Sequence, residues 1–358
     1  SINYINFKDA YRISLAEKYR VNYDKRTIFE VFKDLKKENS KVSIAFPTAG
    51  YVPPGGIKIN DNNIFPLGGI SYSKTVVCNE TGHWSTYFSD RYGFNNLDTL
   101  WDKKKINILL LGDSYVHGDC VEPKNNIAGQ LRLNSESEVL NLGYRGNSPF
   151  MQLATFIEYG LQKKPKHIFW FFSEENDLEE IDRDKNKNIL VNYVVGEYDQ
   201  DLKSKQSDID ENLKAIHNKS IFYRNLKLQN LRLNFINRLV GKAKKTTSAT
   251  TKYIPKKYNL QIYEQIMERV VEFSKKNNFK VSIVYLPSHA RYTGNDYSEL
   301  VNAIEEISYN LNIVFIDLHK EIFSKKNNPL EYFPFQINSH YTEKAYSEIA
   351  EVLLKYLE

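Results

Sequence analysis

A serine, Ser114, follows Gly112 and Asp113 directly after an apolar run at residues 106–111. A hydroxyl on the turn between a buried strand and a helix stands at the open edge of a sheet, where the first helical amides favour negative charge forming beside it. A serine in that place also serves as a helix N-cap, so it acquires chemical meaning only with partners. Three candidates follow in order. The stretch Asn141-Leu142-Gly143-Tyr144-Arg145-Gly146-Asn147 offers Gly146, whose backbone can approach a ligand and present its amide. Glu174-Glu175-Asn176-Asp177 offers the side-chain amide of Asn176. With the Ser114 amide these make three donors for the oxyanion of a tetrahedral intermediate. Taken singly, Gly146 reads as a turn glycine and Asn176 as a helix cap. His340, just ahead of the last helical stretch, brings an imidazole whose ordinary pKa suits taking a serine proton near neutrality and returning it to a leaving group.

These residues need a scaffold that brings four loops to one edge. Apolar runs at 106–111, 139–142, 167–172, 281–286 and 313–316 read as strands buried on both faces, each separated from the next by helical stretches. Stripes of Tyr263, Ile266, Met267, Val270 and Val271, of Leu300, Val301, Ile304 and Leu311, and of Ala345, Ile349, Val352 and Leu353 mark helices that cover the sheet. The class expected is α/β, with five parallel strands and right-handed crossovers. Residues 1–38 predict two helices, the second carrying Ile28, Phe32 and Leu35 on one face, and the Pro, Gly, Asn and Tyr content of 40–100 predicts a small irregular β region. The chain thus divides into a helical and β-rich extension, 1–100, and a main domain, 101–358. A charged insertion at about 178–258, with helical stretches around 208–216 and 226–239, is placed to form a lid or substrate wall.

Composition removes other classes. Lys and Arg total 49 against 44 acidic residues, a net +5 spread along 358 residues, and the densest basic stretch, 242–245, is too short for a nucleic-acid stripe. No apolar run reaches the length of a membrane span, and a leader or anchor removed ahead of Ser1 is compatible with that. His83, His117, His167, His217, His289 and His319 have no metal spacing, and no glycine-rich phosphate cradle follows a strand, so neither metal nor cofactor is expected. Cys78 and Cys120 fit one disulfide or two buried thiols, and composition leaves both open.

The blocks GDSYVHG, NLGYRGN, EEND and NSHYT resemble the four blocks of the SGNH (GDSL) hydrolase superfamily, over about residues 106–177 and 279–358. The resemblance implies a three-layer flavodoxin-like fold, Ser114 as nucleophile, His340 as general base, and an oxyanion hole of Ser114, Gly146 and Asn176. The stretch 71–101, with VVCNETG and SDRYGFNN, resembles exported and often membrane-tethered bacterial members associated with surface polysaccharide acylation. It implies a periplasmic or other extracytoplasmic location, a tether before residue 1, and a Cys78–Cys120 disulfide. The chain departs from the family pattern twice. Where an Asp usually precedes the histidine by two or three residues stand Asn338 and Ile337, so the Asn338 carbonyl orients the ring, the site works as a dyad, or a remote acid such as Glu331 or Asp317 serves. Glu174 and Glu175 replace the usual glycines, placing negative charge near the pocket or pointing away from it. The expected activity is that of a serine esterase or O-acyltransferase acting on an O-acetylated glycan or another small ester. The rival is a glycan-binding or assembly protein on the same scaffold with a weakened triad.

Overall fold

The computed structural model describes residues 7–230 and 251–357; the basic stretch 242–245 and most of the expected helix at 226–239 lie outside them. The N-terminal part holds α1 (Phe7–Tyr19), α2 (Ile28–Glu38), β1 (Val42–Ile44), α3 (Thr48–Tyr51), β2 (Ile57–Ile59), β3 (Asn62–Ile64), β4 (Lys74–Val76) and β5 (Thr86–Phe88). The main domain continues with β6 (Ile108–Leu111), α4 (Ser114–His117), α5 (Ile127–Asn134), β7 (Val139–Asn141), α6 (Pro149–Thr155) and β8 (His167–Ser173). Then come α7 (Asp177–Asp184), α8 (Asn188–Val195), α9 (Gln206–Asn230), β9 (Thr251–Lys252), α10 (Lys257–Asn277) and β10 (Lys280–Leu286). The chain closes with β11 (Asn295–Asp296), α11 (Ser298–Asn310), β12 (Val314–Asp317), α12 (Leu318–Glu321) and α13 (Glu343–Lys355). Among the described residues no helix is long and apolar enough to cross a membrane.

Five strands pair in the order β12-β10-β8-β6-β7, all parallel. Every residue of β6, β7 and β8 is buried, which is why their sequences are unbroken apolar runs rather than alternating ones. Successive side chains still point to opposite faces. Leu109, Leu111, Trp170, Phe172, Ile283 and Tyr285 pack with α6, α8, α10 and α11. Ile108, Leu110, Phe169, Phe171, Val284 and Leu286 pack with α5, α12 and α13. The result is a three-layer α/β fold with all strand ends of one polarity at one edge.

Most of the described N-terminal core residues join the core of the main domain, a small cluster of Ala45, Val77 and Tyr87 standing apart. Phe46, Ile57, Ile64, Phe65, Leu67, Phe94 and Leu100 belong to the same buried cluster as Leu109, Tyr144, Tyr159 and Trp170. Polar stitches reinforce it. Asn96 exchanges hydrogen bonds with the backbone of Asn141 at the end of β7, donating to its carbonyl at 2.8 Å and accepting from its amide at 2.9 Å. Asn95 donates to the carbonyl of His117 at 3.0 Å. Buried Asp90 gathers Tyr92, Phe94, Asn96 and Trp101 as donors, and burial, only partly offset by these bonds, lifts its carboxyl to about 6. The small sheet β1-β4-β5 is bound to the loop after α4 by the Cys78–Cys120 disulfide, with Cα atoms 4.9 Å apart.

Phe94 has no exposure and its ring meets Tyr144 and Tyr159 edge-on at 6.2 and 5.1 Å between centroids. Phe94→Ala is therefore expected to destabilise the whole chain by about 3–5 kcal/mol. Denaturant unfolding followed by far-UV circular dichroism and tryptophan fluorescence will show one shifted transition; a separate early transition would mean that the N-terminal part is an independent unit.

Candidate active site

The strand β6 ends at Gly112, where a Cβ would lie 2.4 Å from Val116 Cγ2, so only glycine allows the chain to turn this sharply into α4. Asp113 caps that helix, accepting from the Tyr115 amide at 2.9 Å. Ser114 occupies the first helical position, where its amide has no intrahelical acceptor. The turn closes through Gly118, in the left-handed region at φ 84°, and the Ser114 carbonyl accepts from the amides of Gly118 and Asp119.

His340 reaches this turn from the loop ahead of α13. Thr342 caps α13, and buried Tyr341 donates to the Pro287 carbonyl at 2.5 Å, fixing both neighbours of the loop's end. The imidazole packs on Tyr115, with centroids 5.1 Å apart, and its Nε2 lies 2.9 Å from Ser114 Oγ.

The other ring nitrogen finds an acid that sequence reasoning missed. Glu80 Oε2 accepts from His340 Nδ1 at 3.1 Å and from the His340 amide at 2.7 Å, while its Oε1 lies 2.5 Å from Arg12 on α1. An ionised carboxylate can only accept, so Nδ1 carries the imidazole hydrogen and Nε2 is left to accept from the serine. Burial opposes the charge on Glu80, but His340 and Arg12 together overcome it and draw the carboxyl down to about 2. Burial likewise pushes the imidazole down, yet Glu80, with Asp119 behind it, leaves His340 above its ordinary value.

Asn338, expected to orient the ring, does not. It is exposed and donates to Glu175 Oε1 at 3.0 Å, across the mouth of the site. The two remote acids expected in its stead are also elsewhere: Asp317 caps α12 by accepting from the His319 and Lys320 amides, and Glu331 is exposed. The carboxylate that meets His340 is therefore 260 residues away in sequence, with no local signal near the histidine. Glu174 also turns from the pocket. It is buried and holds Ser288, Tyr285 and Arg291, stapling the end of β8 to the loop after β10. Glu175 stays at the rim on Asn338.

The donors for an oxyanion come from the expected loops. Asn176 Nδ2 donates one hydrogen to Asp113 Oδ2 at 3.0 Å, which orients the amide and leaves its second hydrogen available. Gly146 has φ 69°, and a Cβ there would lie 2.9 Å from Pro47, so a side chain is excluded. Its loop is held from both sides: Arg183 donates to the Gly146 carbonyl at 2.8 Å, while Arg145 donates to the Ala45 carbonyl at 2.9 Å and pairs with Asp119 at 2.7 Å.

Asp119 is fully buried, with one oxygen on His117 Nδ1 at 2.6 Å and the other 3.9 Å from His340 Nε2. Burial works against its ionisation, but Arg145 and His117 hold it well below the usual carboxylate range. Three further histidines serve packing or local bonding: His167 stacks on Phe169 and meets Ser282, His289 meets the Gln336 carbonyl, and His319 meets the Tyr292 hydroxyl. Among the described residues one trio has metal-ligand atoms within 4.8 Å of one another, Glu80, Cys120 and His340. Its sulfur is already bonded to Cys78, and its other two members are bonded to each other and to Ser114, so the trio does not fit a metal centre.

No family model matches the chain, and no curated protein matches it. Solved structures similar to it include the acetyl xylan esterase AlAXEase, at 13% identity over 71% of this chain and 100% of that one, with a TM-score of 0.40. Another is the lipase/acylhydrolase from Enterococcus faecalis, at 13% identity over 70% of this chain and 95% of that one, TM-score 0.40. A third, assigned to the G-D-S-L family of lipolytic proteins, comes from Desulfitobacterium hafniense DCB-2, at 14% identity over 70% of this chain and 99% of that one, TM-score 0.36.

The charge around His340 gives a measurable sign. In the native chain the imidazole should titrate above 6.5, because Glu80 outweighs burial. In Glu80→Gln burial acts without that carboxylate, and the midpoint should fall below the native one, whereas Asn338→Ala should leave it in place. Imidazole NMR across pH 4–9, about the range around an ordinary histidine, checks all three; a midpoint that follows Asn338 rather than Glu80 would reverse the assignment.

Proposed function

We propose that this chain is a serine ester hydrolase of the SGNH type, with Ser114 as nucleophile, His340 as general base and Glu80 as the acid that orients and charges the base. The observation that carries it is the relay from Glu80 Oε2 through His340 Nδ1 and Nε2 to Ser114 Oγ, at 3.1 and 2.9 Å. Ser114 Oγ bonds to the ester carbonyl carbon as its proton passes to Nε2. The carbonyl oxygen takes the negative charge among the Ser114 amide, the Gly146 amide and Asn176 Nδ2. Collapse breaks the ester bond, and the proton on Nε2 leaves with the alcohol. Water, or a sugar hydroxyl in the transferase variant, then gives its proton to His340 and bonds to the acyl carbon; the acyl–Oγ bond breaks, releasing the acid or the new ester, as His340 returns that proton to Ser114 Oγ.

The substrate we favour is an O-acetyl group on a carbohydrate, supported by the likeness of the four blocks to SGNH hydrolases and of stretch 71–101 to exported members associated with surface polysaccharide acylation. The Cys78–Cys120 bond supports an extracytoplasmic setting, since such bonds persist where the surroundings are oxidising. A non-catalytic glycan binder was attractive only while no carboxylate served His340, and Glu80 removes that reason.

Wild-type protein should label promptly with a fluorophosphonate and hydrolyse p-nitrophenyl acetate; Ser114→Ala should abolish both, and His340→Ala should remove turnover. Glu80→Gln should lower kcat by a factor approaching 10⁴, about the size of the Asp-to-Asn change in a serine protease triad. Acetate release and acetyl transfer measured together on acetylated glycans separate hydrolysis from transfer. A native chain that neither labels nor turns over any ester would overturn the enzyme reading.

A further inference from the structure

The imidazole of His340 faces two buried carboxylates, and each has an arginine of its own. Asp119, on the Nε2 side, pairs with Arg145 at 2.7 Å. Glu80, on the Nδ1 side, pairs with Arg12 at 2.5 Å. Arg12 lies on α1, far from the four blocks, yet it is 5% exposed and its fork is divided between Glu80 and, at 3.5 Å, Asp9 one turn back. The helix is brought there by contacts to the turn Pro334–Gln336 just ahead of His340, and the chain after it continues the docking. Tyr23 meets Phe335 with centroids 6.3 Å apart and donates to the Asn79 carbonyl, and Asn79 in turn donates to the Asp24 carbonyl.

We propose that Arg12 is a positioning residue of the site: its guanidinium, bonded to the outer oxygen of Glu80, balances that buried charge so that His340 need not hold a proton to do so. This rests on the reading of Glu80, His340 and Ser114 as a triad. The remaining groups that face the pair leave that balance intact. Asp119 is offset by Arg145 and held also by His117; Asp113 is bonded by Asn176 and the Tyr115 amide; Tyr23, Tyr115 and Tyr346 are neutral phenols, the first held at about 12 by burial; Asp9 lies on the outer side of Arg12. Glu80 and Arg12 sum to zero, and so do Asp119 and Arg145, so with a neutral imidazole these two pairs add no net charge beside it. Take Arg12 away and a buried negative charge stands alone. The Glu80–His340 pair then retains one proton to a higher pH, whichever member carries it, because the two titrate as a unit. A base that keeps its proton cannot accept one from Ser114, and the rate at neutral pH falls.

The direction is fixed by charge and separates this role from mere packing. In Arg12→Met and Arg12→Gln the acid limb of kcat/KM for p-nitrophenyl acetate should move up by about one unit or more, the size of a close charge's effect on a buried group. Arg12→Lys should keep it near the native position. The same midpoints are read without turnover by imidazole NMR of His340 in Ser114→Ala, so loss of the esterase reading leaves this one testable. A native midpoint in both neutral variants, each still melting cooperatively, overturns the proposal.

Discussion

The contact between the Glu80 carboxylate and the His340 imidazole is the constraint around which the N-terminal hundred residues are arranged. A carboxylate taken out of water stays ionised only where donors and positive charge replace the solvent. Here the replacement is complete: the His340 amide and Nδ1 on one oxygen, Arg12 on the other. Holding three such groups together demands rigidity in a turn that belongs to no large sheet. That rigidity comes from the disulfide two residues before Glu80, from Asn79 bonded to the Gly82 amide, and from Gly82 itself, at φ 109° with the Asn22 carbonyl 2.4 Å from where a Cβ would be. The small sheet, α1 and the turn are thus parts of one device for delivering an acid.

The same logic explains the second buried carboxylate. Asp119 leaves the nucleophile turn two residues after His117 and reaches Arg145 on the loop that carries Gly146. It therefore ties the nucleophile turn to the oxyanion loop, while Arg145 ties that loop to Ala45 of the N-terminal part. Asp113 does a related task, spending one oxygen on its own helix and the other on Asn176. Burial raises Asp113 while these donors lower it, so the group that orients the Asn176 amide does so against its own desolvation. Asn176 and the Gly146 loop are in this way fixed by neighbours whose bonds are already made in the free chain, the preorganisation that the proposed oxyanion site calls for.

Much of this was legible in the sequence because the signals were local. Buried parallel strands write themselves as unbroken apolar runs, and the runs at 106–111, 139–142, 167–172, 281–286 and 313–316 all coincide with strands of the central sheet. Ser114, Gly146, Asn176 and His340 stood at strand or helix ends, where a three-layer sheet collects its loops, and the structure brings Ser114, Asn176 and His340 into one hydrogen-bonded neighbourhood. The helix at 206–230 begins within the charged insertion, as its 208–216 pattern suggested. Asn338 misled because proximity in sequence stood in for proximity in space: two residues before His340, the chain is turning over exposed ground, and the side chain leaves toward Glu175.

Glu80 was hidden for the opposite reason, yet one inference would have exposed it. A bond between Cys78 and Cys120 places residue 78 beside a loop six residues after Ser114, and the only carboxylate within three positions of Cys78 is Glu80. Cys120 Sγ lies 3.9 Å from His340 Nδ1, so the disulfide forms one wall of the space in which acid and imidazole meet. The covalent link and the relay are then a single spatial fact. With no carboxylate near His340 in sequence, the one it meets comes from a distant segment, and a charge held there needs a tether that outlasts thermal motion of a surface turn. The disulfide supplies the tether, Arg12 supplies the opposing charge, and the buried aromatic cluster around Phe94 and Tyr144 keeps the importing segment on the sheet. This is why the N-terminal part shares its core with the main domain: an acid positioned to a few tenths of an ångström cannot be carried by a segment free to dissociate.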